Sequence, residues 1–166
     1  ILRQICWRPF ACGENYEMGF KKVKSFLPFL IPNTSYLYFM VTQITKGVKI
    51  TVRTQFQSGH SRPEMRHFIF TYKILIENRS EYSVQLLRRQ WNIFDSNGEH
   101  RVVEGDGVVG QQPVLTPNEI YEYESACNLV TDMGKMKGVY QMMRIIDKEK
   151  FYVEIPEFKL IAPQRL

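Results

Sequence analysis

The stretch Glu104-Gly105-Asp106-Gly107-Val108-Val109-Gly110-Gln111-Gln112-Pro113 holds a Gly-x-Gly-x-x-Gly spacing. Such a spacing cradles a pyrophosphate when a strand precedes it and a helix opens behind it, because the helix N-terminus then faces the phosphates. Here Pro113 and Pro117 follow too closely for a helix of useful length to begin. A P-loop is excluded as well, since Gln111 stands where lysine would be required. Glu104 and Asp106 would repel a phosphate, although the loop's N–H groups and Arg101 could form an anion-binding concavity. The spacing predicts a bend between strands whose glycines take positive φ. Its functional alternative is an exposed binding loop of Gly105, Asp106, Gly107, Val108, Val109 and Gly110. An enzyme on nucleotide phosphates is suggested by the glycine pattern alone.

Three other sets of residues could do chemistry. Cys127 would be a nucleophile with a histidine beside it, but His60, His67 and His100 have no partner spacing, and a buried structural thiol is expected. Asp95, Glu99, Glu104 and Asp106 could offer oxygen ligands to a hard cation, but turn-forming and solvating roles explain them equally well, and no zinc or calcium spacing exists. Arg88 and Arg89 adjoin Trp91, and arginine and tryptophan are favoured at the centres of interfaces. Adjacent strand residues face opposite sides of a sheet, so at least one arginine should be exposed. No catalytic residue, metal ligand or cofactor is assigned.

The elements that must position these residues come from 166 residues, enough for one domain and an appendage. The net charge of +5 is uneven: residues 1–39 hold five Lys/Arg against two Glu, and residues 40–166 hold seventeen against fifteen acids. The basicity of the body is therefore slight, and nucleic-acid binding loses its compositional support. Of three cysteines only Cys127 lies past residue 39, so no disulfide framework is expected and a reducing, cytoplasmic setting fits. Residues 1–39 read as an N-terminal extension, poorly structured or upstream of a true start at Met40. The apolar run Phe26–Ile31 holds Pro28, is closed by Pro32, and is too short to span a bilayer.

Beyond Met40 the pattern has period 2. Val48, Ile50, Val52, Thr54 and Phe56 alternate with polar residues, then Phe68, Phe70, Tyr72, Ile74 and Ile76 do the same. A third run from Tyr82 changes parity between Leu86 and Leu87, which predicts a bulge. Asn97-Gly98 marks a hairpin turn, and Asn128–Met136 reads as a connection. Leu115-Thr116-Pro117 before Tyr121 suggests a tyrosine corner, whose hydroxyl bonds back to nearby backbone. Residues 138–146 and 150–155 form a last hairpin, with an edge or bulge at Pro156. These short strands predict an all-β fold, an antiparallel two-sheet sandwich of the immunoglobulin or fibronectin type III kind, with a closed barrel as the alternative.

Residues 84–91, 95–98, 103–113, 134–140 and 151–158 resemble the bacterial ApaG family, and the likeness runs over about residues 40–163. Asn118, Ala126 and Asp147-Lys148 depart from the family's usual glycines, all in or beside turns. The resemblance implies the fibronectin-like sandwich, an association with cobalt and magnesium resistance or efflux, and, from the domain's occurrence in eukaryotic proteins, protein binding without established catalysis. The expectation is a non-enzymatic, cytoplasmic module with a protein partner, no nucleic acid and no membrane. It would bind through Gly105–Gly110 and the strand face at Arg88, Arg89 and Trp91. The alternative is a binder of a small anion or divalent cation in metal homeostasis. Self-association into a homo-oligomer stays open.

Overall fold

The computed structural model describes residues 39–163; the extension assigned to residues 1–39, with Cys6 and Cys12, lies outside them save for Phe39. Nine strands follow in order: β1 (Phe39–Thr45), β2 (Val48–Phe56), β3 (Phe68–Asn78), β4 (Val84–Asp95), β5 (His100–Asp106), β6 (Val114–Leu115), β7 (Ile120–Leu129), β8 (Met133–Arg144) and β9 (Lys150–Ile161). One sheet has the order β1-β2-β3-β7; the other runs β5-β4-β8-β9, with β6 continuing alongside β4. Every pairing is antiparallel. The expected two-sheet sandwich is therefore formed, and it is closed along one seam where β1 and β2 lie against β9. The only helical turn among the described residues is a 3-10 turn at Pro63–Met65, inside the loop that joins β2 to β3. No helix of the described residues is long and apolar enough to cross a membrane.

Alternation places Val48, Ile50 and Val52 of β2 and Phe70, Tyr72, Ile74 and Ile76 of β3 against the inner residues of the second sheet. Trp91 stands at the centre. Its ring is 5.4 Å from that of Tyr72 and 5.9 Å from that of Phe158, both in edge-on geometry. The parity change in β4 is a register shift between Leu86 and Arg88, as the pattern required. Pro156 sits where β9 slips against β8, opposite the interval Met136–Gly138, on a strand that is also a sheet edge.

Two expectations are corrected. Asn128–Met136 is not a connection: β7 continues to Leu129, β8 begins at Met133, and only residues 130–132 join them. Gly134 reads as a turn residue but lies within β8, where an added Cβ would come 2.5 Å from the Phe94 carbonyl oxygen. The tyrosine corner is absent too. The Tyr121 hydroxyl donates to the Gln111 side-chain oxygen at 3.1 Å, not to backbone. Two departures from family glycines, Asn118 and Lys148, take φ of 65° and 60°, so these positions keep the left-handed backbone without glycine.

One end of the sandwich is tied by Asn78, which is fully buried. Its amide donates to the Tyr82 carbonyl at 2.8 Å and the Leu115 carbonyl at 3.0 Å, and its oxygen accepts from Ser80 N at 3.0 Å and Ser80 Oγ at 2.7 Å. Alanine there would remove the side-chain donor to the buried Leu115 carbonyl and the acceptor that holds Ser80, leaving the Tyr82 carbonyl only Ser80 Oγ at 3.1 Å. Asn78→Ala is expected to lower stability by about 2–3 kcal/mol, seen as a lower urea midpoint at unchanged slope. A midpoint equal to the parent's would show that these bonds are dispensable.

Candidate functional site

The glycine bend rests on the bulge of β4. At Leu87 the extra residue leaves a carbonyl outside the ladder, and that oxygen accepts from Gly107 N at 2.8 Å and from Gln112 Nε2 at 2.8 Å. Beyond Gly107 the chain makes a two-residue hairpin. Val108 and Gln111 exchange backbone hydrogen bonds of 2.8 and 3.0 Å around Val109 and Gly110, whose φ values are 49° and 72°. Two successive positive φ values make a type I′ turn, which matches strand twist but strains a β-branched residue. Val109 is held there by packing of its side chain on the core. Gly107, at φ 56°, has no alternative residue, because a Cβ would lie 2.0 Å from the Gln111 oxygen. The short β6 follows, and no helix occurs between residues 111 and 120. The bend therefore lacks the helix N-terminus that a dinucleotide site needs.

Arg88, Arg89 and Trp91 part company. Strand alternation sends Arg88 outward, where its Nε is 3.2 Å from the Asp106 carboxylate in a pair open to solvent, an arrangement that contributes little to stability. Arg89 turns inward and is 8% exposed. It reaches across β4 to the bend, and its Nη1 donates to the carbonyls of Asp106 at 3.0 Å and Gly107 at 2.8 Å. Gly105, its partner on β5, leaves room for it: an added Cβ would come 2.8 Å from Nη1. Trp91 is wholly buried. The expectation that Arg89 and Trp91 present a binding face is thus corrected. The bulge sets the parity that sends both side chains to the core, where one fixes the bend and the other fills the interior. Val108 is likewise buried, so the bend leaves Asp106 and Gly110 exposed and Gly105 and Val109 partly so.

On the outer face of the second sheet, the row around Arg88 encloses a shallow groove of about 170 Å³. It is lined by Arg88, Arg89, Gln90 and Glu104 together with Val139 and Gln141 of β8 and Tyr152 of β9, and it crosses β5, β4, β8 and β9. Gln90 donates to Glu104 at 2.5 Å, and Gln141 approaches the Tyr152 hydroxyl at 3.4 Å. Tyr152 is 60% exposed and presents an open ring face. Sequence reasoning missed Gln90, Val139, Gln141 and Tyr152. Their outward parity was readable along each strand, but only the register of β4 with β8 and β8 with β9 brings them beside Arg88.

The other candidates have structural roles. Asp95 accepts hydrogen bonds from Val130 N at 2.7 Å and from the Thr131 hydroxyl, tying two turns together. Among the described residues no group of three or more His, Cys, Asp or Glu could hold a metal ion. Cys127 is buried, and Arg101 beside it donates to the Asn128 carbonyl at 2.6 Å. In the core the hydroxyls of Tyr123 and Tyr140 share a 2.5 Å hydrogen bond. Burial pushes both phenols well above the ordinary tyrosine value, since a phenolate there would lose its hydration.

Comparison with known proteins now bears on this arrangement. Residues 58–144 match the family model described as the ApaG domain. The chain is 44% identical over 127 residues to Protein ApaG of Anaeromyxobacter dehalogenans strain 2CP-C, covering 76% of this chain and 99% of that protein. It is 41% identical over 126 residues to Protein ApaG of Brucella canis, covering 76% of this chain and 96% of the relative. A crystal structure described as the putative ApaA protein from Bordetella pertussis superposes with a TM-score of 0.68 at 35% identity, over 71% of this chain and 95% of that one.

Proposed function

The chain belongs to the ApaG family, and from that premise we propose that it is a non-enzymatic module that binds a protein partner in the cytoplasm. Its binding surface is the outer groove of Arg88, Gln90, Glu104, Gln141 and Tyr152, continued by the exposed tip of the bend at Asp106 and Gly110. The observation that carries this reading is the outward turn of Arg88 beside the exposed Tyr152, on the outer face of a four-strand sheet. Arginine and tyrosine supply contact area and directed hydrogen bonds where a partner excludes water. The residues most suited to chemistry, Arg89 and Cys127, are by contrast buried. The role in cobalt and magnesium resistance or efflux that the family likeness suggests would then be exercised through the partner. The rival reading is direct binding of a divalent cation or small anion at the Asp106 end.

The test uses the immobilised full chain to capture its partner, followed by titration with that purified partner. Arg88→Glu and Tyr152→Ala are expected to keep the parent melting temperature and to weaken partner binding at least about tenfold each, since hot-spot truncations cost about 2 kcal/mol. Unchanged affinity in both variants would reject this surface. A saturable Mg²⁺ or Co²⁺ isotherm that vanishes in Asp106→Asn would favour the rival.

A further inference from the structure

Two hydrogen-bond donors in the core have no acceptor among the described residues: Nε of Arg89 and Nε1 of Trp91, both fully buried. They lie two residues apart on β4, so both side chains enter the interior from the same face. The guanidinium carries a permanent charge. Its Nη1 is satisfied by two bend carbonyls, but carbonyl dipoles solvate a cation without neutralising it. No carboxylate of the described residues stands within ion-pair distance of Arg89. The neighbouring phenols of Tyr123 and Tyr140 are held protonated by burial and supply no negative charge. A buried cation without a counter-charge is among the most costly arrangements a core can hold.

The place is defined by the strands around it. The guanidinium lies beneath Gly105 of β5. The Cε3 edge of the indole faces Gly138 of β8, so the Nε1 edge on the far side of the ring turns away from β8. The sandwich is closed where β1 meets β9, whereas β5 and β7 are the edge strands of the opposite seam. Ser125 of β7, at 7% exposure, and the Tyr123 hydroxyl add polar groups on the inner face of that seam.

We propose that the interior of the β5/β7 seam binds one small inorganic anion, a halide or an oxyanion, which accepts hydrogen bonds from Arg89 Nε and Trp91 Nε1. A water molecule would satisfy the two donors and leave the charge uncompensated; an anion does both. The site lies under the glycine bend, on the side of its carbonyls, and is therefore unlike a phosphate loop, in which N–H groups face the ligand. The two donors lie on the inner side of the sheet and the partner surface on its outer side, with Arg89 the one residue common to both.

Two measurements on the full chain test it. Crystals soaked in sodium bromide are expected to show an anomalous peak within about 3.5 Å of both nitrogens. In solution the chain has two tryptophans, Trp7 and Trp91, so Trp7→Phe identifies the Trp91 indole N–H signal. That signal is expected to shift saturably when bromide, or in a separate arm phosphate, replaces gluconate at constant ionic strength. The bromide arm reads a halide and the phosphate arm an oxyanion. Trp91→Phe keeps a ring in the core and removes the donor; the anion concentration that half-saturates the rise in melting temperature should increase about tenfold. The proposal is overturned by a water without anomalous signal at that position, by a carboxylate of the chain itself there, or by an indole signal that neither anion moves.

Discussion

Gly107→Ala is expected to destabilise the protein by about 3–4 kcal/mol, a large share of a single domain's stability. The methyl group would come 2.0 Å from the Gln111 carbonyl oxygen, on a backbone at φ 56°. The atom in the way is backbone within the hairpin, so relief requires the turn to open. Opening it breaks the Val108–Gln111 pair and shifts the carbonyls that solvate Arg89. Gly110→Ala is the control. It has φ 72° but open space around the added methyl, so only the left-handed penalty of about 1–2 kcal/mol applies. Urea unfolding of the two variants measures the difference. Equal losses would mean that the bend yields at Gly107 and that the contact with Gln111 does not constrain it.

Trp91→Ala is expected to cost about 3–5 kcal/mol or to prevent folding, because it removes the largest fully buried side chain and leaves a cavity lined by Tyr72, Tyr140 and Phe158. Arg88→Ala, three residues earlier, is expected to stay within about 0.5 kcal/mol of the parent, since its ion pair is exposed. Thermal unfolding followed by near-ultraviolet circular dichroism reads both variants. If Trp91→Ala were as stable as Arg88→Ala, the central packing described for the indole would be wrong. The contrast matters for function as well: a lost interaction in Trp91→Ala would report a lost fold, whereas the same loss in Arg88→Glu would report a contact.

Much of the architecture was legible along the chain. Period-2 runs in β2 and β3 named the core residues, because a half-buried strand has to alternate. The parity flip at Leu86-Leu87 foretold the bulge, and Pro113 and Pro117 excluded a helix behind the glycines. Gly134 misled, since a glycine needed for close approach within a strand has the same letter as one needed for a turn. The Leu-x-Pro and Tyr121 pattern misled for a related reason: it marks a turn and a strand, but the hydroxyl's partner is set by where Gln111 happens to lie.

The sequence by itself determined the all-β class, the strand succession, the helix-free glycine bend and the family, because each rests on local backbone preference or on residues adjacent in the chain. Which of Arg88, Arg89 and Trp91 meets solvent was decided only by the tertiary structure. A single bulge residue inverts the facing of every later position on β4, and the pattern locates that residue only to within a position or two. The groove beside Arg88 and the uncompensated charge of Arg89 depend likewise on side chains far apart in sequence. Sheet register and the meeting of two sheets bring them together, and neither is encoded in the spacing along one strand.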